Sequence, residues 1–185
     1  MYIERTLSKA ISDATETFPV VLVTGPRQVG KTTVLEQKKE NMRVYVTLDD
    51  PQVRALVKND PHLFFQMYKP PLLIDEIQYA PELFPYIKMI VDKSRQKGLF
   101  WLTGSQQFNL MKDISESLAG RVAILELRGL SQSEINGNNC IPFFPETLIP
   151  DDRPAPDIFQ LYERILRGSF PELHSNPKAP YIPFP

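Results

Sequence analysis

The sequence is poor in the residues that build disulfide frameworks and transition-metal sites. It contains one cysteine, Cys140, and two widely separated histidines, His62 and His174. A single cysteine excludes an internal disulfide framework. Because cysteine and histidine do not cluster, we expect no site for zinc or another transition metal.

Long apolar runs and a charge excess are also absent. No apolar stretch approaches the roughly 18 residues of a membrane-spanning helix, and the first residues, MYIERTLSKAIS, lack the apolar core of a secretion signal. The net charge of -1 at pH 7 gives no electrostatic footprint for nucleic acid or an anionic membrane. These absences favour a cytoplasmic protein with no membrane partner, and they disfavour nucleic acid as a partner.

Proline divides the chain. The chain contains 18 prolines, about twice the average share, and ten of them follow residue 140. Proline removes backbone donors, and the ending APYIPFP is typical of extended chain. We therefore expect a regular core over residues 1–135 and a Pro-rich segment over 136–185 with one helix at about 157–167.

Strands and helices alternate along the core. Five short apolar runs predict strands at Val20–Thr24, Arg43–Leu48, Pro71–Asp75, Leu99–Thr103 and Val122–Leu127. Helical spacing predicts helices at Ile3–Thr17, Lys31–Glu40, Pro51–Tyr68, Glu82–Lys97, Gln106–Leu118 and Ser131–Ile135. Short strands that are apolar throughout are buried on both faces. The pattern predicts an α/β fold with five parallel strands in a doubly wound sheet.

A glycine-rich turn joins the first strand to the next helix. The stretch GPRQVGKT fits the phosphate-loop pattern G-x-x-x-x-G-K-[ST], and both the strand and the helix that the pattern requires are predicted around it. Lys31 is placed to bridge β- and γ-phosphate oxygens, and the Thr32 hydroxyl to bind Mg²⁺. The predicted phosphate contacts are Gly25, Pro26, Arg27, Gln28, Val29, Gly30, Lys31, Thr32 and Thr33.

Two carboxylates follow the buried strand of PPLLIDEIQ. Asp75 is expected to hold Mg²⁺ and Glu76 to orient or deprotonate the attacking water, because ligands of open α/β sheets bind at the carboxyl ends of the strands. The alternative is that this pair only caps the following helix. Asp49 and Asp50, before Pro51, favour a helix cap. Tyr79 is expected to be a core residue, and the alternative is a loop aromatic near the site.

Polar residues also follow the strand of LFWLTGSQQ. Thr103, Ser105 or Gln106 could hydrogen-bond the γ-phosphate or the water, and the alternative is a turn at Gly104 with Ser105 as a helix cap. The sequence has neither the D-x-x-G motif at the metal strand nor the guanine-reading N-K-x-D motif of GTPases. ATP is therefore the expected nucleotide.

Six ordered motifs carry a family resemblance. The motifs are GPRQVGKTT, LDDP at Leu48–Pro51, LLIDEIQ, LTGSQ at Leu102–Gln106, SLAGR at Ser117–Arg121, and GSFPEL. Together they resemble the predicted prokaryotic ATPases of the AAA+ type, which usually carry a C-terminal domain of unknown function. The resemblance covers residues 1 to about 173.

The resemblance implies more than the residues do. It implies the strand order 5-1-4-3-2 and a γ-phosphate-sensing role for Ser105. It also implies an arginine at Arg121 that contacts nucleotide within the chain or across a subunit interface. By the same analogy Arg5 could approach the adenine, although a solvated helix face is the default for it. Members of the family continue well past the segment that matches Gly168–Pro171, so we expect a truncated second domain here.

The expected function is that of an ATPase. It would bind ATP and Mg²⁺ and use hydrolysis to switch a partner protein or an attached domain, with a homo-oligomer possible. Two alternatives stand beside it: an ATP-binding interaction module that hydrolyses little, and a nucleic-acid-associated motor or loader.

Overall fold

The computed structural model describes residues 2–39, 41–105, 112, 114, 116–137 and 157–175. The chain divides into two compact units. One unit is Leu7–Arg128, and the other combines Met1–Thr6 with Gly129–Pro185.

The unit Leu7–Arg128 is built on a five-stranded parallel sheet. Its strands are β1 (Val20–Gly25), β2 (Val44–Thr47), β3 (Leu72–Asp75), β4 (Phe100–Ser105) and β5 (Val122–Glu126). They lie in the order β2-β3-β4-β1-β5, with Val20 of β1 opposite Phe100 on one side and Val122 on the other. This confirms the predicted order 5-1-4-3-2. Because every pair is parallel, the carboxyl ends of all five strands meet at one edge.

Helices cover both faces of this sheet. The described helices of the unit include α1 (Leu7–Thr17), α2 (Lys31–Lys38), α3 (Pro51–Asn59), α4 (Pro61–Met67) and α5 (Leu83–Ser94), with a 3₁₀ turn at Ile77–Tyr79. Val20 and Leu22 of β1 pack in one core cluster with residues of α3, α4 and α5. Val21 and Val23 pack in another with residues of α1 and α2. The alternation along β1 therefore buries both faces, as a doubly wound sheet requires.

Two helix predictions are wrong in detail. The single helix expected over Pro51–Tyr68 is two helices, because Pro61 has no N–H to continue the first. Instead the Asp60 carboxylate accepts a hydrogen bond from the Leu63 N–H at 2.8 Å and caps the second. The first helix begins at Leu7 rather than Ile3. Most of the predicted helix Gln106–Leu118 lies outside the described residues.

The second unit contains α6 (Gln132–Ile135), α7 (Ile158–Arg167) and α8 (Pro171–Ser175). In it Arg5 is only 5 % exposed, and its Nε lies 3.3 Å from Oε1 of Glu134. Burial alone raises the pKa of Glu134, but N–H donors of Ser131 and Thr6 and the Arg5 charge outweigh it and leave the pKa lowered. The prediction that Arg5 lies on a solvated helix face is therefore wrong. The sequence does not indicate the ion pair, because Glu134 lies far from Arg5 along the chain.

Helix α7 presents an uncovered apolar surface. The exposed side chains are Ile158, Phe159, Leu161, Tyr162, Ile165 and Leu166.

None of the helices in the described part of the chain is long and apolar enough to cross a membrane. Residues 176–185 lie outside the described residues, and the domain division at residue 135 stays a prediction.

Candidate functional site

The glycine turn between β1 and α2 has a backbone that ordinary residues do not adopt easily. Gly25 has φ 146°, and a Cβ there would stand 2.0 Å from the carbonyl oxygen of Leu127. Gly30, directly before α2, has φ 89°. Gln28 has φ 63° without being glycine, which is uncommon and costs roughly 1–3 kcal/mol. The loop therefore keeps a shape that the sheet imposes at Gly25.

Lys31 opens α2 with its ammonium group turned back onto the loop. Its Nζ donates to the carbonyl oxygens of Gly25 at 3.1 Å and Pro26 at 2.8 Å, and the side chain is 6 % exposed. Burial lowers the pKa of Lys31, while Glu76 and Asp75 act in the opposite direction. The ammonium group of Lys31 is thus fixed beside the loop, although its burial disfavours the charged form.

Asp75, the last residue of β3, is surrounded by hydroxyl groups. Its Oδ1 accepts from the Thr32 hydroxyl at 2.7 Å and from the Thr103 hydroxyl. Its Oδ2 accepts from the Tyr45 hydroxyl at 3.2 Å. Burial and the Asp75 charge raise the pKa of Tyr45 to about 12, so this hydroxyl stays protonated and donates. The carboxylate is fixed by side chains from α2, β2 and β4.

Glu76 follows Asp75 in a left-handed backbone conformation, with φ 58° and ψ 47°. Its N–H donates to the Thr103 hydroxyl at 3.0 Å, and its carboxylate accepts from the side-chain amide of Gln78. A non-glycine residue held in this region is uncommon and is found preferentially at functional sites. The conformation turns Glu76 away from the line of β3.

Ser105 ends β4 beside this group. Its N–H donates to Oε1 of Gln78 at 3.2 Å. Its hydroxyl oxygen is shielded from solvent and makes no hydrogen bond within the described part of the chain. Buried hydroxyl groups almost always have a partner, so this hydroxyl can take a hydrogen bond beyond those that the described residues provide.

Lys31, Thr32 and Glu76 line a cleft of about 390 Å³ at the carboxyl edge of the sheet, whereas Asp75 and Ser105 lie behind its lining. It is lined by Arg27, Gln28, Gly30, Lys31, Thr32, Thr33, Asp49, Glu76 and Tyr79. Its volume falls in the range of small-molecule sites, about 300–1,000 Å³. The described residues give Arg27 no hydrogen bond or ion pair, so one further cation lines the cleft without a protein partner.

The residues fit a nucleotide with Mg²⁺. Thr32 and Asp75 supply the hydroxyl and carboxylate oxygens that Mg²⁺ prefers, and they already touch at 2.7 Å. Lys31 and Arg27 bring positive charge to the cleft, and the loop before α2 offers N–H groups and the positive end of a helix. The uncommitted Ser105 hydroxyl is a further polar group for a phosphate.

The structure does not bring Arg121 to this cleft. Arg121 directly precedes β5 and so lies at the amino edge of the sheet, the opposite edge from the phosphate loop. Its guanidinium is paired with the Asp92 carboxylate at 2.6 and 3.1 Å. Contact with nucleotide bound in the same chain would require this group to cross the sheet, whereas contact with a neighbouring subunit stays a prediction.

Sequence reasoning missed two of the site's side chains. Tyr45 was seen only as part of an apolar strand, and Gln78 was given no role, although its place two residues after Glu76 was a usable signal. The helix cap before Pro51 is Asp50, whose carboxylate accepts from the Gln52 N–H at 2.8 Å. Asp49 and Tyr79 line the cleft instead, and Tyr79 is 41 % exposed, so its expected core position is wrong.

The strand order, the glycine turn before α2 and the acidic pair after β3 together define a P-loop nucleotide-binding domain. The chain belongs to the AAA domain family, whose model matches residues 17–136. It is 37 % identical over 120 residues to two proteins called uncharacterized, Rv2008c of Mycobacterium tuberculosis and Mb2031c of Mycobacterium bovis. These matches cover 65 % of this chain but only 27 % of each relative, so the matched part is a minor share of the relatives' length.

Solved structures are similar at a lower level. PCH-2 of C. elegans matches 70 % of this chain and 41 % of its own at 15 % identity and a TM-score of 0.43. The DnaC helicase loader matches 69 % of this chain and 93 % of its own at 13 % identity and a TM-score of 0.43. Identities and TM-scores this low have no bearing on function.

Proposed function

We propose that this domain hydrolyses ATP with Mg²⁺ and uses the cycle as a conformational switch. One observation carries the proposal: Lys31, Thr32 and a glutamate with a strained backbone line a single cleft, and the Thr32 hydroxyl is hydrogen-bonded to the Asp75 carboxylate behind it. Binding alone needs no carboxylate beside the phosphates. Nucleotide binding alone therefore does not explain the presence of the Glu76 carboxylate in the cleft.

Each group has a role in this proposal. Lys31 pairs with β- and γ-phosphate oxygens, and Thr32 and Asp75 hold Mg²⁺, which neutralises phosphate charge when bound. Glu76 orients the attacking water and takes up its proton. The Ser105 hydroxyl hydrogen-bonds the γ-phosphate, and this hydrogen bond is lost when the γ-phosphate leaves after hydrolysis.

The switch follows from these contacts. The γ-phosphate joins the ends of β3 and β4 to the loop before α2, and its release removes that link. A partner protein or a further domain that senses this edge would respond to the nucleotide state.

A second candidate is an ATP-binding module with little hydrolysis. The placement of Arg121 favours it, because a single chain brings this arginine to the far edge of the sheet. Arginine that contacts the transferred phosphate is worth about 10³–10⁵ in rate in other phosphate-loop enzymes. If a neighbour supplies it, turnover per chain rises with protein concentration; in the second candidate it stays near zero.

The test is Glu76→Gln, which keeps the side-chain shape and removes the base. We expect steady-state ATP turnover to fall about 100-fold or more, while Mg-ATP still raises the melting temperature. Glu16→Gln, the same change at an exposed position of α1, is the matched control and should behave as wild type. Equal turnover in Glu76→Gln and wild type would show that Glu76 is not the base. A wild-type protein that binds ATP without turnover at any concentration would select the second candidate.

A further inference from the structure

Gln78 links two groups of the proposed site that are otherwise separate. It lies in the 3₁₀ turn Ile77–Tyr79 that follows Glu76. Its Nε2 donates to Oε2 of Glu76, and its Oε1 accepts the N–H of Ser105 at 3.2 Å. One side chain thus touches the carboxylate that acts on water and the strand end that faces the γ-phosphate.

Chemistry fixes which way this amide points. The N–H of Ser105 can only donate, so the carbonyl oxygen of Gln78 must face it. The NH₂ group then faces Glu76, whose ionised carboxylate can only accept. An amide meets both demands, whereas a glutamate would place one carboxylate against another and an apolar side chain would satisfy neither.

The Gln78 side chain lies just beyond the point where backbone pairing between β3 and β4 ends. Backbone pairing of β3 with β4 runs from Leu72 opposite Phe100 to Ile74 opposite Leu102. Beyond that point side chains connect the two strand ends: the Thr103 hydroxyl holds the Glu76 N–H, and the Gln78 amide holds the Glu76 carboxylate. Glu76 is therefore fixed to the end of β4 through both its backbone and its side chain.

The turn does not need the Gln78 side chain for its own stability. The N–H of Tyr79 donates to the Glu76 carbonyl at 3.1 Å, and the N–H of Ala80 donates to that of Ile77 at 3.0 Å. The Ile77 side chain is fully buried in the core. Backbone hydrogen bonds and this anchor hold the turn, so a side-chain role at Gln78 can be tested without unfolding it.

We propose that Gln78 is a positioning residue for hydrolysis, which holds the Glu76 carboxylate at a fixed place relative to Ser105. The proposal rests on the proposed role of Glu76 as the group that acts on water. Through Gln78, a shift of Ser105 on meeting the γ-phosphate is passed to the Glu76 carboxylate. Water activation is thereby tied to the presence of the phosphate that will be attacked.

The first experiment compares Gln78→Met and Gln78→Glu with wild type. Met keeps the length of the side chain without its hydrogen bonds, and Glu keeps an acceptor for Ser105 while facing Glu76 with a like charge. We expect kcat to fall about tenfold or more in both, with the melting temperature and the Mg-ATP-induced shift retained. Gln96→Glu, at an exposed position near the amino end of β4, is the matched control. Values of kcat within about twofold of wild type in both variants would overturn the proposal.

The second experiment places Gln78→Met in the Glu76→Gln background. A residue that acts through Glu76 has nothing left to position there, so we expect the residual turnover to change by less than about twofold. The same tenfold loss in that background would show that Gln78 acts elsewhere and would overturn the proposal. Loss of the Mg-ATP-induced shift in Gln78→Met would make it a nucleotide-binding residue and would also overturn it. Failure of the proposed function has a different signature, which is unchanged turnover in Glu76→Gln alone.

Discussion

Positively charged side chains lie in different surroundings at the two edges of the sheet. At the amino edge, the buried guanidinium of Arg43 donates to the carbonyls of Gly98 at 2.9 Å and Leu72 at 3.5 Å and lies 4.0 Å from the ring centre of Trp101. Arg121 at the same edge is paired with Asp92. At the carboxyl edge, Lys31 rests on loop carbonyls, and burial lowers its pKa.

This difference separates stability from binding. At the amino edge the Arg43 guanidinium donates to two protein carbonyls and Arg121 is paired with Asp92, so removal of either cation breaks contacts within the fold. At the carboxyl edge, the Ser105 hydroxyl has no partner among the described residues and Glu76 has a strained backbone. Substitution of one cation at a time should show the contrast directly.

The largest effect on the protein itself is expected at Arg43. Arg43→Met leaves the carbonyls of Gly98 and Leu72 without their donor and removes the contact with Trp101, so we expect a loss of about 3 kcal/mol in the free energy of unfolding. Urea denaturation followed by the fluorescence of Trp101, the single tryptophan, measures it. Lys97→Met, at an exposed position of the same edge, is the control. Arg43→Met should keep the additional stabilisation that Mg-ATP gives to wild type. A smaller stabilisation by Mg-ATP in this variant would contradict the separation of the two edges.

Lys31 should show the reverse. Lys31→Ala removes the charge that faces the β- and γ-phosphates, so the stabilisation by Mg-ATP, about 2.7 kcal/mol at one hundred times Kd, should disappear. Without nucleotide the variant loses the hydrogen bonds from Nζ to the Gly25 and Pro26 carbonyls but also a charge that burial disfavours, so we expect a smaller loss of stability than in Arg43→Met. Thermal melting with and without Mg-ATP measures both, with Lys93→Ala as an exposed control. A full ATP-induced shift in Lys31→Ala would remove the loop from the proposed site.

The smallest effect is expected at Arg121. Its ion pair with Asp92 is partly exposed, with side chains 33 % and 45 % accessible, and such pairs contribute little to stability. Arg121→Ala should lower the melting temperature by no more than about 2 °C and leave ATP binding and turnover of dilute protein unchanged. A loss of turnover that appears only at high protein concentration would assign Arg121 to a neighbour's site. A loss in dilute protein would contradict its position at the amino edge.

The sequence predicted those parts of the molecule that local patterns determine. All five strands follow from apolar runs, although only β1, β3 and β4 are buried on both faces and the outer strands β2 and β5 are partly exposed. The loop before α2 follows from glycines at positions with positive φ. Asp75 and Glu76 were placed at the carboxyl edge because parallel strands end together. The strand order came from the family resemblance, since apolar runs alone leave the order of parallel strands open.

The parts that were missed depend on contacts between distant segments. Arg5 was expected to be solvated, yet it pairs with Glu134, and nothing near either residue signals the other. Tyr45 reads as a strand residue until the sheet sets its hydroxyl beside Asp75. The helix break at Asp60 has a local signal, which is a capping aspartate followed by a proline. It was missed because the helical periodicity continues across Pro51–Tyr68.

The close approach of Gly25 to Leu127 has a consequence for the order of assembly. The strand that begins the loop, β1, is made early in synthesis, but its neighbour β5 is the last strand of the sheet to be made. The N–H of Leu127 donates to the Thr24 carbonyl at 2.8 Å, and the Leu127 carbonyl occupies the space beside Gly25. Until Leu127 has docked, one flank of β1 is an unpaired edge and the loop lacks its wall. A nascent chain therefore acquires its nucleotide cleft only when nearly the whole sheet has been translated.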